Sequence, residues 1–187
     1  MGLSLRARAD TVATFRFVSV AAMETLARWV PTTPELEVKI LFGRHIWDFA
    51  QHADTLGRRT ADLRLPAHHS LRPRDAYVAL LETVAQAGTP MQRIVGLYDV
   101  LLPDLSARCR RYLDATDQLL DEPTVRILER MIADYARLMA ERATIGTERP
   151  DLVATDPDWA ARLRAATAGV GEWVAFRPAA TANAETA

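Results

Sequence analysis

The chain has 187 residues, of which 49% are apolar and 25% are charged, and its formal net charge at pH 7 is −1. This length suits one domain with a buried core, and the composition excludes a disordered chain, a fibrous repeat and a disulfide-framed miniprotein. The balanced charge gives no bulk electrostatic attraction to nucleic acid or to an anionic membrane, so we expect neither as a partner.

Cys109 is the only cysteine, so one chain forms neither an internal disulfide nor a thiolate zinc or iron–sulfur site. Arg6 and Arg8 are not followed by an apolar segment of the signal-peptide type. The sequence also lacks a run of about 18 apolar residues that would indicate a transmembrane helix. These features predict a cytoplasmic protein with no membrane partner.

Signals for helix starts recur along the chain, each combining a capping side chain with a proline in the first turn. Gln92 follows Thr89 by three residues and completes a capping box. Such signals predict an all-helical domain, and they are Thr33-Pro34, Thr89-Pro90, Asp121-Glu122-Pro123 and Asp156-Pro157.

Apolar residues recur at helical spacing between these signals, and no alternating strand pattern competes with them. We predict helices over 8–29, 34–63, 75–86, 90–118, 123–143 and 158–166, with a kink at Pro103. Helices of this length joined by short loops pack as an antiparallel bundle, so residues 1–177 are expected to form one domain. We expect 178–187 to be a disordered tail. On the fifth helix we expect three arginines opposite the buried stripe of Val125, Leu128, Ile132, Tyr135 and Met139; these are Arg126, Arg130 and Arg137.

The predicted second helix carries one stripe of polar residues. His45, Asp48 and His52 have the spacing i, i+3, i+7, and Glu37 shares their arc. A carboxylate beside a histidine fixes the tautomer of the ring and raises its pKa, which suits proton transfer. The same side chains also suit a metal such as iron, manganese or zinc.

Two orientations of this stripe stay open. It is the solvated face of an amphipathic helix, or it faces the interior, because the apolar residues of this helix wrap broadly around it. Glu24 on the first helix lies among apolar neighbours and needs a partner. That partner is either the histidines across the bundle or Arg28 one turn away.

Other candidate residues favour structural roles. His68 and His69 lie in a proline-flanked loop, and Cys109 has no catalytic-cysteine motif around it. Tyr98 lies on the core stripe of the fourth helix, and we expect the four tryptophans to pack the bundle. The absence of GxGxxG, Walker, GxSxG and CxxC motifs excludes ordinary nucleotide binding and serine-hydrolase chemistry.

A set of short motifs on the second and fifth helices is familiar as a group: Glu37-Val38-Lys39, His45-Ile46-Trp47-Asp48, His52-Ala53-Asp54, Leu63-Arg64 and the segment 121–128. With these motifs the chain resembles bacterial members of the ferritin-like superfamily over about Glu24 to Ala140. The resemblance implies a four-helix bundle. In the di-iron members it also implies carboxylates and histidines from four helices, two of them as Glu-x-x-His.

The chain departs from the di-iron pattern in its second half. No histidine follows His69, and no Glu-x-x-His occurs anywhere. Where a second acidic–histidine pair would stand, the chain reads Asp134-Tyr135-Ala136-Arg137-Leu138. We therefore expect a one-sided metal site or a metal-free acid–base site instead of a full di-iron centre.

The sequence favours a ferritin-like bundle that binds a small molecule and acts on it. In that hypothesis His45 or His52 is the base and Asp48 orients it. A metal-assisted oxidoreductase would use the same residues as ligands, together with Glu24 and Glu37. The alternative is a non-catalytic ferritin-like accessory or oligomerisation protein, for which a homo-oligomer would cover the spare apolar flanks of long helices such as the first.

Overall fold

The computed structural model describes residues 2–152 and 157–177. It is all-helical, with 77% helix and no strand among these residues. The six helices are α1 (Leu5–Trp29), α2 (Leu36–Asp62), α3 (Asp75–Ala85), α4 (90–115), α5 (Glu122–Glu148) and α6 (Pro157–Gly169). A short 3₁₀ turn, Val30–Thr32, follows α1. The all-α prediction and its six helices are confirmed; the predicted tail over 178–187 lies outside the described residues.

Of the predicted capping side chains, Thr89 caps its helix and Thr33 does not. The capping box of Thr89 and Gln92 is present at the start of α4, as predicted. The predicted cap at Thr33 is wrong, because its hydroxyl donates to the Trp29 carbonyl at 2.8 Å and α2 begins three residues later, at Leu36. Asp156 lies outside the described residues.

The four long helices α1, α2, α4 and α5 run antiparallel to their packed neighbours. Trp29 at the end of α1 lies 5.5 Å from Phe42 near the start of α2, measured between ring centroids. At the other end of this pair, Gly57 of α2 packs so closely on Arg16 of α1 that a Cβ there would lie 2.9 Å from Arg16 Nε. None of the described helices combines the length and hydropathy that a bilayer crossing requires.

A fully buried carboxylate ties three helices together at one end of the bundle. Asp121 accepts hydrogen bonds from Tyr112 of α4 at 2.6 Å and from Arg59 of α2 at 2.9 Å. The hydroxyls of Thr116 and Thr124 donate to the same carboxylate. Burial alone would raise the pKa of Asp121, but these hydrogen bonds outweigh it and lower that pKa.

Helix α4 widens before Pro103. It consists of Pro90–Ile94, a π-helical segment Val95–Leu101 and the α-helix Leu102–Ala115. The N–H of Leu102 donates to the carbonyl of Leu97, five residues back, so the departure from α geometry precedes the proline instead of centring on it. The π segment contains Tyr98, whose hydroxyl reaches α2.

The tryptophans differ in burial. Trp29 and Trp173 are buried, and Trp159 is half-buried with its indole N–H donated to the Gln92 carbonyl at 3.0 Å. Trp47 is 67% exposed, so the expectation that all four pack the bundle is wrong for this residue. It lies on the outer surface of α2, directly before Asp48.

Helix α5 is rotated relative to the predicted stripe. Met131 and Leu138 are buried, whereas Ile132 and Met139 are only half-buried. The centre of the buried stripe therefore shifts by roughly 40° about the helix axis at 100° per residue. Arg137 stays exposed opposite this stripe, as predicted, and its guanidinium reaches Asp48 of α2.

Candidate functional site

Two matching rows of polar side chains meet between α2 and α5. Both rows have the spacing i, i+3, i+7, and because the helices are antiparallel the first member of one row meets the last of the other. We call this set the polar seam; its members are His45, Asp48 and His52 on α2 and Asp134, Arg137 and Glu141 on α5.

His45 is fully buried, and both of its ring nitrogens are hydrogen-bonded. Nε2 lies 3.1 Å from Glu141 Oε2, and Nδ1 lies 2.7 Å from the Tyr98 hydroxyl. Because a carboxylate only accepts, the ring proton of the neutral imidazole lies on Nε2, and Nδ1 accepts from Tyr98. Tyr98 therefore does more than the packing predicted for it, since it fixes the tautomer of His45.

His52 makes the second histidine–carboxylate pair. Its Nε2 lies 3.0 Å from Asp134 Oδ2, so the ring proton is directed at that carboxylate. Its Nδ1 is buried and has no hydrogen-bond partner among the described residues. The Tyr135 ring packs edge-on against His52 at 5.4 Å between centroids. His52 is therefore oriented by one nitrogen and keeps the lone pair of the other unused.

Arg137 joins the two pairs. Its guanidinium donates to Asp48 Oδ1 at 2.6 Å and to Glu141 Oε1 at 2.8 Å, and it lies 3.5 Å from Asp134 Oδ1. Asp48 thus pairs with Arg137 and does not orient a histidine, which corrects the role predicted for it. The carboxylates that orient the rings are Glu141 and Asp134.

The electrostatics of the seam favour neutral histidines. Burial lowers the pKa of both His45 and His52, against the opposing effect of Glu141 and Asp134 respectively. Burial alone would raise the pKa of Glu141, but hydrogen bonds from His45 and Arg137 outweigh it and lower that pKa. At neutral pH the seam therefore contains neutral rings, ionised carboxylates and one central guanidinium.

The other two predicted ligands lie apart from the histidines. Glu37 is exposed on α2 and pairs with Arg149 at 2.7 Å. Glu24 is exposed on α1 and does not join the seam. Its alternative partner, Arg28, donates instead to the Thr25 hydroxyl at 3.3 Å. Of the two orientations that the sequence left open, His45 and His52 adopt the inward one. Neither partner expected for Glu24, the histidines or Arg28, pairs with it in the described part of the chain.

The residues do not fit the iron implied by the ferritin-like resemblance. Within the described ranges, no three His, Cys, Asp or Glu side chains are grouped so as to hold a metal ion. The cation between the carboxylates of Asp48 and Glu141 is the Arg137 guanidinium. The five residues predicted as metal ligands do not form one ligand set, and we derive no chemistry through a metal.

A groove with a volume of about 580 Å³ opens beside the seam, and Asp48, His52, Asp134 and Arg137 contribute to its lining. The remainder of its lining is Trp47, Gln51 and Thr55 from α2 and Arg126, Ile127, Arg130 and Met131 from α5. We call it the seam groove; its volume lies within the roughly 300–1,000 Å³ of small-molecule sites.

The remaining candidates lie away from the groove. His68 is exposed in the loop after α2, where it adopts a positive φ of 58° and its N–H donates to the Gly57 carbonyl at 2.8 Å. Cys109 is buried in α4, and burial raises the pKa of its thiol. Both placements agree with the structural roles predicted for these residues.

Sequence reasoning missed Glu141 and did not recognise Asp134 and Arg137 as partners of the α2 stripe. A usable signal was present, since α5 repeats the i, i+3, i+7 spacing with charges complementary to those of α2 in reverse order.

Comparison with known proteins adds no relative: no family model, curated protein or solved structure matches this chain. What the chain does is therefore inferred from the geometry of its described residues.

Proposed function

We propose that this protein is a ferritin-like helical bundle that binds a small molecule in the seam groove and acts on it by acid–base chemistry. The observation that carries the proposal is the coincidence of the groove with the polar seam. A ligand there would contact Asp48, Asp134 and the edge of the His52 ring, and the buried Nδ1 of His52 would become reachable by a local movement of that ring.

The groove combines the two kinds of lining that small-molecule sites use. Ile127 and Met131 supply apolar contacts, and Gln51 and Thr55 supply an amide and a hydroxyl. The carboxylates of Asp48 and Asp134 are held in place by Arg137 and His52. Because these groups are ordered before a ligand arrives, little side-chain entropy is lost on binding.

His52 is the proposed base. Asp134 holds its Nε2–H, which leaves the Nδ1 lone pair as the acceptor for a substrate proton. His45 is a poorer candidate, because Tyr98 and Glu141 already engage both of its nitrogens. We therefore assign His45 to holding α2 against α4 and α5.

The binding half of the proposal is tested with the neutral fluorescent probe N-phenyl-1-naphthylamine. Thr55→Trp places a large ring in the groove, whereas Ala61→Trp adds the same ring at an exposed position of α2 outside it. We expect the native protein and Ala61→Trp to bind the probe and Thr55→Trp to lose about tenfold or more in affinity. Equal affinity in all three proteins would contradict a binding groove at this place.

The catalytic half is tested with diethyl pyrocarbonate, which acylates accessible neutral imidazole nitrogens. Peptide mapping by mass spectrometry should show modification of His52, and a ligand bound in the groove should protect it. Modification of the loop residues His68 and His69 with none at His45 or His52 would mean that the Nδ1 of His52 never reaches solvent or substrate. That result would overturn the assignment of His52 as a base.

A second candidate function is oligomerisation without chemistry. Leu36, Ile40 and Trp47 are all more than half exposed and share one face of α2, and Gly43 between them has open space above it. A second copy packed on this face would cover them. In that case light scattering gives a dimer mass for the native protein and a monomer mass for Ile40→Ser, while the probe binds neither protein.

A further inference from the structure

We infer that two copies of this chain associate through the outward face of α2, with the two α2 helices antiparallel. The second candidate function requires some contact on this face, and the arrangement of the two copies goes beyond it. The inference does not depend on a ligand in the seam groove. It follows from the spacing of the exposed apolar residues and from the charges beside them.

The outward apolar residues of α2 have the spacing of a coiled-coil seam. Leu36, Ile40, Gly43 and Trp47 are separated by four, three and four residues, which is the alternation of a heptad repeat. We call these four residues the outer stripe. They lie on the side of α2 opposite His45, which is buried. A second helix packed along the outer stripe would therefore cover it without disturbing the core.

The outer stripe is confined to the N-terminal half of α2. Further along the helix the same face continues with Asp54 and Arg58, which form an ion pair with each other at 2.8 Å. A helix packed over this pair would remove two charges from water at a cost in free energy. The favourable overlap of two α2 helices is therefore limited to 36–47, a length of about 17 Å at 1.5 Å per residue.

An antiparallel pair of α2 helices achieves this limited overlap. The register that places Leu36 on the partner's Trp47 also places Ile40 in the open space above the partner's Gly43. Asp54 then lies beyond the first residue of the partner's α2. A parallel pair in equal register would instead place Asp54 against the same residue of the partner. The two-fold axis of the antiparallel dimer passes between the helices, at the level midway between Ile40 and Gly43.

The charges beside the outer stripe also favour the antiparallel pair. Glu37 and Arg44 lie on the side of the stripe that faces α5, where they pair with Arg149 and Glu141. In the antiparallel register, Arg44 lies within about 3 Å of the partner's Glu37 along the helix axis. Both side chains are exposed and can add this contact to their present ones. A parallel pair would place Arg44 beside the partner's Lys39, and these like charges would oppose it.

The interface adjoins the seam groove through Trp47. This residue belongs both to the outer stripe and to the lining of the groove. Contact with the partner's Leu36 would therefore hold the Trp47 ring as one wall of the groove in each copy. Only this link between dimer and groove rests on the function proposed above.

The experiment exchanges the two charges and measures mass by sedimentation equilibrium. In the antiparallel dimer, Glu37→Arg places two arginines at each charge contact, and Arg44→Glu places two glutamates there. An equimolar mixture of the two variants restores one arginine and one glutamate at both contacts of the mixed dimer. Arg58→Glu is the matched control, since Arg58 is an exposed arginine of α2 beyond the overlap. Circular dichroism verifies that each variant keeps its helical fold.

We expect the native protein and Arg58→Glu to dimerise with a dissociation constant of about 10–100 µM, because the interface is small. Glu37→Arg and Arg44→Glu should each raise this constant about tenfold or more, and their mixture should return to within about threefold of native.

Three results would overturn the inference: a native protein that stays monomeric up to about 500 µM, charge variants that dimerise as the native protein does, or a mixture that stays monomeric. Failure of the proposed function is recognised separately, because it is measured by probe binding to Thr55→Trp and not by mass.

Discussion

Replacement of Arg137 by methionine tests the electrostatic account of the polar seam. Methionine keeps much of the apolar stem of the side chain and removes the guanidinium that lies among three carboxylates. Asp48, Asp134 and Glu141 then face one another without a cation between them. We expect a less stable protein, with a loss that depends on pH.

The size of the loss follows from two short hydrogen bonds, at 2.6 Å to Asp48 and 2.8 Å to Glu141. Hydrogen bonds to charged groups contribute about 1.5–3 kcal/mol each. Arg137 is 44% exposed, so solvent screening reduces them toward the roughly 0.2–1 kcal/mol of surface pairs. We expect Arg137→Met to lose about 2 kcal/mol at pH 8, or about 4–8 °C in Tm for a chain of this length.

At pH 6 the loss should be smaller. Burial is the main cause that lowers the pKa of His45 and of His52, and Arg137 lowers both further. Without Arg137 the rings take up protons more readily and partly replace the missing cation. The unfolding free energy measured in urea should therefore differ from native by about 2 kcal/mol at pH 8 and by about 1 kcal/mol at pH 6.

Arg130→Met is the matched control, because it makes the same change on the same helix at an arginine with only one long contact. We expect it to alter stability by no more than about 0.5 kcal/mol at either pH. Equal losses in the two variants, or a loss in Arg137→Met that does not change with pH, would refute the account of Arg137 as the cation of the seam.

Three further predictions concern stability. The unfolding free energy of the native protein should fall as the pH is lowered from 7.5, because below about pH 6.5 the histidines of the unfolded chain bind protons more readily than the buried rings of His45 and His52 do. The lowered pKa of Glu141 and of Asp121 extends this loss to more acidic pH, and a stability maximum near pH 5 in urea titrations would contradict the prediction. Asp121→Asn should lower the free energy of unfolding by about 3–5 kcal/mol because it breaks a buried ion pair with Arg59. Asp62, which is 65% exposed and lies 3.5 Å from the same arginine, is the control: Asp62→Asn should cost no more than about 0.5 kcal/mol, and similar losses in the two variants would count against the Asp121 network. Gly57→Ala should destabilise the protein by about 1–3 kcal/mol, because its Cβ would lie 2.2 Å from His68 Nδ1. Gly43→Ala should stabilise it by about 0.5–1 kcal/mol, because a Cβ there meets open space, and thermal melts that rank the two variants the other way would refute this packing.

The helical organisation was predictable because its signals are local. Helical spacing and the Thr89 capping box place the elements from neighbouring residues alone. Details that depend on distant partners were not predictable. Thr33 prefers the Trp29 carbonyl to a capping role, and Trp47 stays exposed although its ring is large and apolar. The ferritin-like assignment stays a prediction.

The candidate site was predictable on one helix only. The spacing of His45, Asp48 and His52 identified the row on α2, but the partners of these residues depend on the rotation of α5. The apolar pattern of α5 admits both Ile132 and Met131 as core residues, and the choice between them decides how close Asp134 and Glu141 lie to the buried face, whereas Arg137 stays on the outer side in either case. Only packing against α2 and α4 makes that choice.

The central claim is that His45 and His52 of α2 face inward as neutral imidazoles held by carboxylates of α5. Long-range ¹H–¹⁵N correlation spectra of histidine-labelled protein at pH 7 test it most directly, with His45→Gln and His52→Gln used to assign the two rings. The account predicts that both rings are neutral with the proton on Nε2, and that the Nδ1 shift of His45 changes in Tyr98→Phe. Rings that exchange rapidly between tautomers, as in free solution, would contradict the claim.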